Sequence, residues 1–298
     1  MAEYYDPETY PQKWNYLEPG TILDQYIIER QLAHGGFSSV YLARQIADQI
    51  PVAIKEYLPR KLAHRTWNNT VIAHNESTNA LFKLGRSLFF KEANALVNLK
   101  HANIVEVINF FQGNATVYMV MTYDYGICLD TLLKTNAVEV NETFILTVFK
   151  QLLMGVAEIH AHHLIHLDIK PANMLIRPGN NPLLLDFGAV QSFPVSPQPS
   201  QSRVCTHGFS PIEQYDDQDN LGPWSDIYAV GASMRTCLDA NVPPSAPKRV
   251  QHDTLKSAVK VYKQQYPEAL LQVIDWAMAV RPQDRPQSIA ELQRLLDY

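Results

Sequence analysis

The sequence predicts an α+β fold in two lobes, strand-rich first and mainly helical afterwards. Three observations carry this. From Tyr26 to Met121 the apolar residues fall in short strand-like clusters: Tyr26-Ile27-Ile28, Val40-Tyr41-Leu42, Val52-Ala53-Ile54 and Val117-Tyr118-Met119-Val120-Met121. Beyond Gly126 the apolar spacing changes to three- and four-residue steps, the period of helices. The glycine between the two regimes reads as a hinge, and two lobes joined by a hinge imply a cleft.

A chain of 298 residues, 46% hydrophobic and 18% charged, can bury a sizeable core. Its net charge of −5 gives no basis for general attraction to nucleic acid or to a membrane surface. Cys128, Cys205 and Cys237 are odd in number and far apart, so a disulfide framework is not expected and a cytoplasmic, reducing location is. The opening Met1-Ala2-Glu3-Tyr4-Tyr5-Asp6 lacks the basic-then-apolar pattern of a signal peptide. The best candidate for a membrane span, Ile145 to Ile159, is broken by Lys150 and Gln151, so no membrane segment is expected.

In chain order, residues 1–24 carry Pro7, Pro11, Pro19 and Gly20 with no period and read as an N-terminal extension. A strand-rich lobe follows over residues 25–121, interrupted by one helix with Leu88, Phe89, Ala93, Leu96 and Leu99 on its apolar face. A hinge over 122–125 leads to a helical lobe over 126–298. There Asn141 can cap a helix burying Ile145, Val148, Phe149, Leu152, Val156 and Ile159. Near the end, Ser288 and Glu291 form a capping-box pair ahead of Leu292, Leu295 and Leu296. Pro194 to Ser202 is rich in Pro, Ser and Gln and reads as a mobile loop.

The chemistry concentrates in two stretches. His166-Leu167-Asp168-Ile169-Lys170-Pro171-Ala172-Asn173 supplies a carboxylate, an ammonium and an amide at offsets 0, +2 and +5. Asp186-Phe187-Gly188 adds a second carboxylate and a glycine that permits a sharp turn. Phosphoryl transfer from ATP needs such a kit: one carboxylate to orient a hydroxyl, a cation for the moving phosphate, and oxygen donors for Mg²⁺. Together and in order, the two motifs resemble the catalytic and metal-binding loops of eukaryotic-type (Hanks-type) serine/threonine protein kinases, bacterial branch.

That resemblance implies a two-lobed protein-kinase-like fold, with an antiparallel five-stranded sheet plus one helix in the N-lobe and a mainly helical C-lobe. It makes Asp168 the catalytic base, Lys170 the stabiliser of the transferring phosphate, and Asn173 and Asp186 the metal ligands. Val52-Ala53-Ile54-Lys55 resembles the third-strand lysine motif, with Glu92 as the partner of Lys55. The long gap between them implies an insertion before the helix, and its opening Glu56-Tyr57-Leu58-Pro59 looks like bacterial members. Leu32-Ala33-His34-Gly35-Gly36-Phe37-Ser38-Ser39-Val40 resembles the glycine-rich loop, although Ala33 and Ser38 stand where the family usually has glycine. The nucleotide would meet Leu32, Gly35, Gly36 and Lys55, and its adenine Val40, Ala53, Leu175 and the Met121-Thr122-Tyr123 hinge.

Further along, Thr206 to Glu213 resembles a substrate-docking segment, and Trp224-Ser225-Asp226 with Gly231 the helix that braces the catalytic loop. Arg285 would pair with Glu213. Leu167 stands where many kinases carry an arginine that receives an activation-loop phosphate, so that switch is not expected here. Ser192, Ser196, Ser200 and Ser202 are candidate autophosphorylation sites. The implied cofactors are ATP and Mg²⁺, with Mn²⁺ as the alternative metal. The implied partners are protein substrates, the chain itself in trans, and an opposing protein phosphatase, with no nucleic acid. A pseudokinase scaffold and a small-molecule kinase of related fold are the rival readings.

Overall fold

The computed structural model describes residues 16–194, 205–215 and 220–296. It divides into two units, Met1–Asn98 with Glu106–Tyr123, and Leu99–Val105 with Asp124–Tyr298.

The first unit contains β1 (Ile22–Leu23), β2 (Tyr26–His34), β3 (Ser38–Gln45), β4 (Pro51–Tyr57), β5 (Ala63–Arg65), β6 (Val71–Ala73), α1 (Glu76–Val97), β7 (Val107–Gly113) and β8 (Thr116–Thr122). One antiparallel sheet runs in the order β1-β2-β3-β4-β8-β7. Strand register sorts the side chains onto two faces, because residues paired across a sheet point the same way. Tyr41, Ile54 and Val120 align on one face and join Tyr26, Ile28, Leu23 and Leu17 in a buried core. Val40, Lys55 and Met119 align on the other, beside Leu42, Ala53 and Met121. From β4, Tyr57 shares that second face and stacks on Phe82 of α1 at 5.6 Å between ring centroids.

The sheet has six strands where five are expected. The sixth is the two-residue β1, which pairs with Tyr26 and Ile27. Leu17 is fully buried, and its N–H donates to the Tyr41 hydroxyl at 3.2 Å. Part of the stretch read as an extension over 1–24 therefore belongs to this unit; residues 1–15 lie outside the described ones. The insertion ahead of α1 is the hairpin β5–β6. A capping box opens α1, with Asn75 accepting the Thr78 N–H at 3.0 Å and the Thr78 hydroxyl accepting the Asn75 N–H at 3.2 Å.

The second unit contains β9 (Ile127–Cys128), α2 (Leu129–Lys134), α3 (Glu142–Ala161), β10 (Leu164–Ile165), β11 (Met174–Arg177), β12 (Asn181–Leu184), β13 (Gln191–Ser192), α4 (Pro223–Asp239), α5 (Ala246–Gln251), α6 (Ala258–Tyr262), α7 (Glu268–Ala277) and α8 (Ile289–Leu296). Asn141 caps α3 by accepting the Phe144 N–H at 2.9 Å. Ile145, Val148, Phe149, Leu152, Val156 and Ile159 are all fully buried along that helix. By length and composition α3 is apolar enough to cross a membrane, contrary to the reading that Lys150 and Gln151 exclude this; half of its apolar window is buried inside the protein. Gly231 lets α4 lie against α7, since a Cβ there would stand 2.7 Å from the Ala277 Cβ. At α8 the Ser288 hydroxyl accepts the Glu291 N–H at 3.3 Å, while Glu291 reaches back to the Gln287 N–H rather than to Ser288. Leu292 and Leu296 are buried there, but Leu295 is exposed.

Candidate active site

Three sequence-predicted residues gather around the carboxylate of Asp168, in the loop after β10. Lys170 Nζ donates to both oxygens of Asp168, at 2.9 and 2.8 Å. The Thr206 hydroxyl donates to Asp168 Oδ1 at 2.7 Å, and Lys170 Nζ lies 3.2 Å from Thr206 Oγ1. Asn173, on the 3₁₀ turn Pro171–Asn173, donates from Nδ2 to the Asp168 carbonyl at 2.9 Å and to its Oδ2 at 3.0 Å. Both of those atoms only accept, so the amide nitrogen must face them and Asn173 Oδ1 is turned elsewhere.

The backbone carrying Asp168 is unusual. Leu167 has φ +63°, a left-handed conformation that costs a residue with a Cβ about 1–2 kcal/mol. Three hydrogen bonds hold it. Asp226 of α4 accepts the N–H groups of His166 and Leu167, each at 2.8 Å, and Gln214 Nε2 donates to the Leu167 carbonyl at 2.8 Å. His160 Nε2 donates to Asp226 Oδ2 at 2.8 Å. Burial alone would raise the Asp226 carboxyl, but the His160 bond and charge, with those of His166, hold it below the ordinary value. His166 is fully buried with its ring 4.7 Å from that of Phe187. Burial pushes its imidazole down, against the opposing pull of Asp226, Asp168 and Asp186.

Asp186 follows β12 and also has a positive φ, +57°. Its Oδ1 accepts the Gly188 N–H at 3.3 Å. Asn173 and Asp186 offer an amide oxygen and a carboxylate, the hard donors that Mg²⁺ takes, and the hydrogen bonding of Asn173 leaves its oxygen for such a role. These residues fit the metal.

A buried ion pair braces the neighbouring segment. Arg285 donates to Glu213 at 2.7 and 3.1 Å, and Ser225 Oγ donates to Glu213 Oε1 at 2.8 Å. Carbonyls of Ala279 and Val280 take the other guanidinium donors, and the cation sits 4.8 Å over the Tyr228 ring. The Leu167 side chain joins Ile165 and Leu221 in an apolar cluster with Ala189 and Phe193 packed on it. Ser192, a candidate autophosphorylation site, lies in β13, paired with Leu164, and its side chain is exposed. Ser196, Ser200 and Ser202 lie outside the described residues.

In the first unit Val40, Ala53, Lys55 and Met121 share one sheet face, with Leu32 on β2 and Gly35 and Gly36 in the β2–β3 turn. Lys55 is buried, its ammonium 5.5 Å from the Phe89 ring of α1. Glu92 lies on α1, but its side chain is outside the described residues. Tyr123 ends the first unit, and Leu175 lies on β11 of the second. Sequence reasoning assigned no role to Gln214 or His160. No local signal says which carbonyl or carboxylate such side chains will reach.

A family model described as the protein kinase domain matches residues 26–295. Serine/threonine-protein kinase D of Synechocystis sp. is 28% identical over 286 residues, covering 92% of this chain and 52% of that protein. Human serine/threonine-protein kinase TAO3 is 27% identical over 279 residues, 89% of this chain and 27% of that protein. The chain thus spans about half the length of the first relative and about a quarter of the second. The solved apo form of PpkA-294 superposes with a TM-score of 0.85 at 31% identity, covering 95% of this chain and all of that one. The chain belongs to the protein kinase domain family.

Proposed function

We propose that the chain transfers the γ-phosphoryl group of ATP to serine and threonine hydroxyls of proteins, its own included, with Asp168 receiving the hydroxyl proton. The convergence of Lys170, Asn173 and Thr206 on the Asp168 carboxylate carries this reading. The substrate oxygen bonds to the γ-phosphorus as the bond from that phosphorus to the β,γ-bridging oxygen breaks, and ADP leaves with the electron pair. Asp168 holds the attacking hydroxyl in line and takes its proton. Lys170, already within reach of Asp168, neutralises charge on the moving phosphoryl oxygens. Asn173 and Asp186 would hold Mg²⁺, which supplies positive charge to the phosphates. Lys55 and the Gly35–Gly36 turn would hold the phosphates, and the face bearing Val40, Ala53 and Met121 would hold the adenine. Thr206, Lys170 and the Glu213–Arg285 brace favour protein substrates, as do relatives named as serine/threonine-protein kinases. A cytoplasmic location belongs to the same reading, in keeping with a sequence whose three cysteines are odd in number and far apart.

The test is incubation with labelled ATP, Mg²⁺ and a general protein substrate, followed by phosphoamino-acid analysis. Label on phosphoserine and phosphothreonine is expected. Label confined to phosphotyrosine, or to a sugar or aminoglycoside panel, would contradict it.

A further inference from the structure

We propose that the insertion between β4 and α1 is a clip that sets the shape of the Gly35–Phe37 turn, with Arg60 and His74 as positioning residues for nucleotide binding. The proposal rests on the reading of this turn as the phosphate-holding loop.

Two backbone hydrogen bonds make the attachment. The Leu58 N–H donates to the Phe37 carbonyl at 2.9 Å, and the Arg60 N–H donates to the Gly36 carbonyl at 3.1 Å. Within the turn, the Gly35 N–H donates to the Ser38 carbonyl at 2.8 Å. A trans peptide sends its N–H opposite to its own carbonyl. Fixing the Gly36 and Phe37 carbonyls toward the insertion therefore aims the N–H groups of Phe37 and Ser38 away from it. Successive N–H groups so oriented suit an anion.

The insertion is itself well held. Leu58 is almost fully buried, and a turn at Pro59 has its carbonyl accepting the Leu62 and Ala63 N–H groups at 2.8 and 2.9 Å. His74, just past β6, donates from Nε2 to the Arg60 carbonyl at 2.9 Å, and its own N–H reaches the Leu62 carbonyl at 2.9 Å. The Arg60 peptide links are thus gripped on one side by His74 while giving an N–H to the turn on the other. Arg65 of β5 ties the hairpin to β4 through a fully buried ion pair with Glu56. Glu56 also accepts the hydroxyls of Tyr41 and Tyr118, at 3.0 and 2.7 Å.

A Gly-Gly turn left to itself samples many conformations, and ordering it opposes binding. The clip removes that cost beforehand. It also gives a physical reason why Ala33 and Ser38 can stand where glycines are usual: the shape is imposed by hydrogen bonds from outside the turn.

Arg60→Pro and Arg60→Ala both lose the long side chain, but only the proline loses the N–H. In the full chain, loss of that bond is expected to raise KM for ATP and Kd for a non-hydrolysable ATP analogue about fivefold over Arg60→Ala. kcat should stay within about twofold, whereas mere partial unfolding would lower kcat and leave KM alone. Trp67→Ala at the exposed hairpin tip, with Trp67 79% exposed, serves as the neutral control. If the proline variant does not fold, amide exchange on the wild-type chain decides. Leu58 and Arg60 amides should be protected, and more so with the analogue bound. Equal ATP KM for the two Arg60 variants, or unprotected amides at both positions, would overturn the clip. A wild-type chain that binds no ATP analogue would instead bring down the nucleotide-site reading, and the clip with it.

Discussion

Asp226 holds Leu167 in a left-handed backbone conformation by accepting its N–H at 2.8 Å, while accepting the His166 N–H at the same distance. The strain sits immediately before Asp168, so the carboxylate on which Lys170, Asn173 and Thr206 converge is aimed by a residue 58 positions later in the chain. Replacing Asp226 by Asn keeps the shape but removes the charge and one acceptor. The expected cost is about 2–4 kcal/mol in denaturant unfolding, since hydrogen bonds to a buried charge contribute about 1.5–3 kcal/mol each. Phosphoryl transfer should fall at least tenfold with KM for ATP little changed. A variant as stable and active as wild type would show that the loop holds its conformation without this carboxylate.

The buried His166 ring makes stability depend on pH. Burial holds its pKa below the ordinary value of 6.5, and burial with the neighbouring His74 does the same for His64. In the unfolded chain both rings take a proton near pH 6.5; in the folded chain they stay neutral to lower pH. The unfolded state then binds more protons, so stability should decline as pH falls below about 6.5. Asp226 acts in a separate window: its contribution is present above the unfolded value of 3.8 and lost as pH falls through its lower folded value. Thermal unfolding from pH 7.5 to 5 should show Tm falling, with a shallower fall in His166→Gln. A Tm that rises toward pH 5 would contradict the neutral buried ring.

Leu167 replaces a charge contact with packing. Its side chain lies with Ile165, Leu221 and Phe193. Alanine at Ser192, Ser196, Ser200 and Ser202 together should leave activity on an external substrate within a few-fold of wild type. Leu167→Arg should destabilise by several kcal/mol, because it buries an unpaired charge in the apolar cluster. Near-total loss of activity in the four-serine variant would mean that a phosphate in this segment is the on-switch after all.

Gly85 shows how tightly α1 lies on β4. A Cβ there would stand 2.0 Å from the Tyr57 hydroxyl oxygen. Alanine gains up to about 1 kcal/mol in helix propensity, but forcing the stacked Tyr57 ring aside costs about 1–3 kcal/mol, so the clash wins. Gly85→Ala should lower stability, and Tyr57→Phe should recover part of the loss in the double variant. Additive effects in that cycle would show that the two residues do not meet.

The elements legible in the sequence are those whose residues carry their own signal. The α3 cap and apolar stripe could be read directly, because Asn141 and the 3.6-residue period are local facts. So could the close spacing of Asp168, Lys170 and Asn173, whose side chains the structure brings together. Features made by distant chain segments were not legible. β1 is two residues long, too short to show alternation, and Leu17 reveals its burial only once Tyr41 is beside it. The pairing of Ser192 with Leu164 is equally short, too short to show alternation. Gln214 looks like any surface amide until the Leu167 carbonyl is placed in its reach.

The proposed role of Asp168, orienting the hydroxyl that attacks ATP, is tested by single-turnover phosphoryl transfer by Asp168→Asn beside titration of an ATP analogue. Asparagine retains the size but loses the charge and one acceptor oxygen, and it cannot take the proton. Transfer should fall by orders of magnitude while the analogue still binds within a few-fold of wild type. Transfer at a rate near wild type would contradict it.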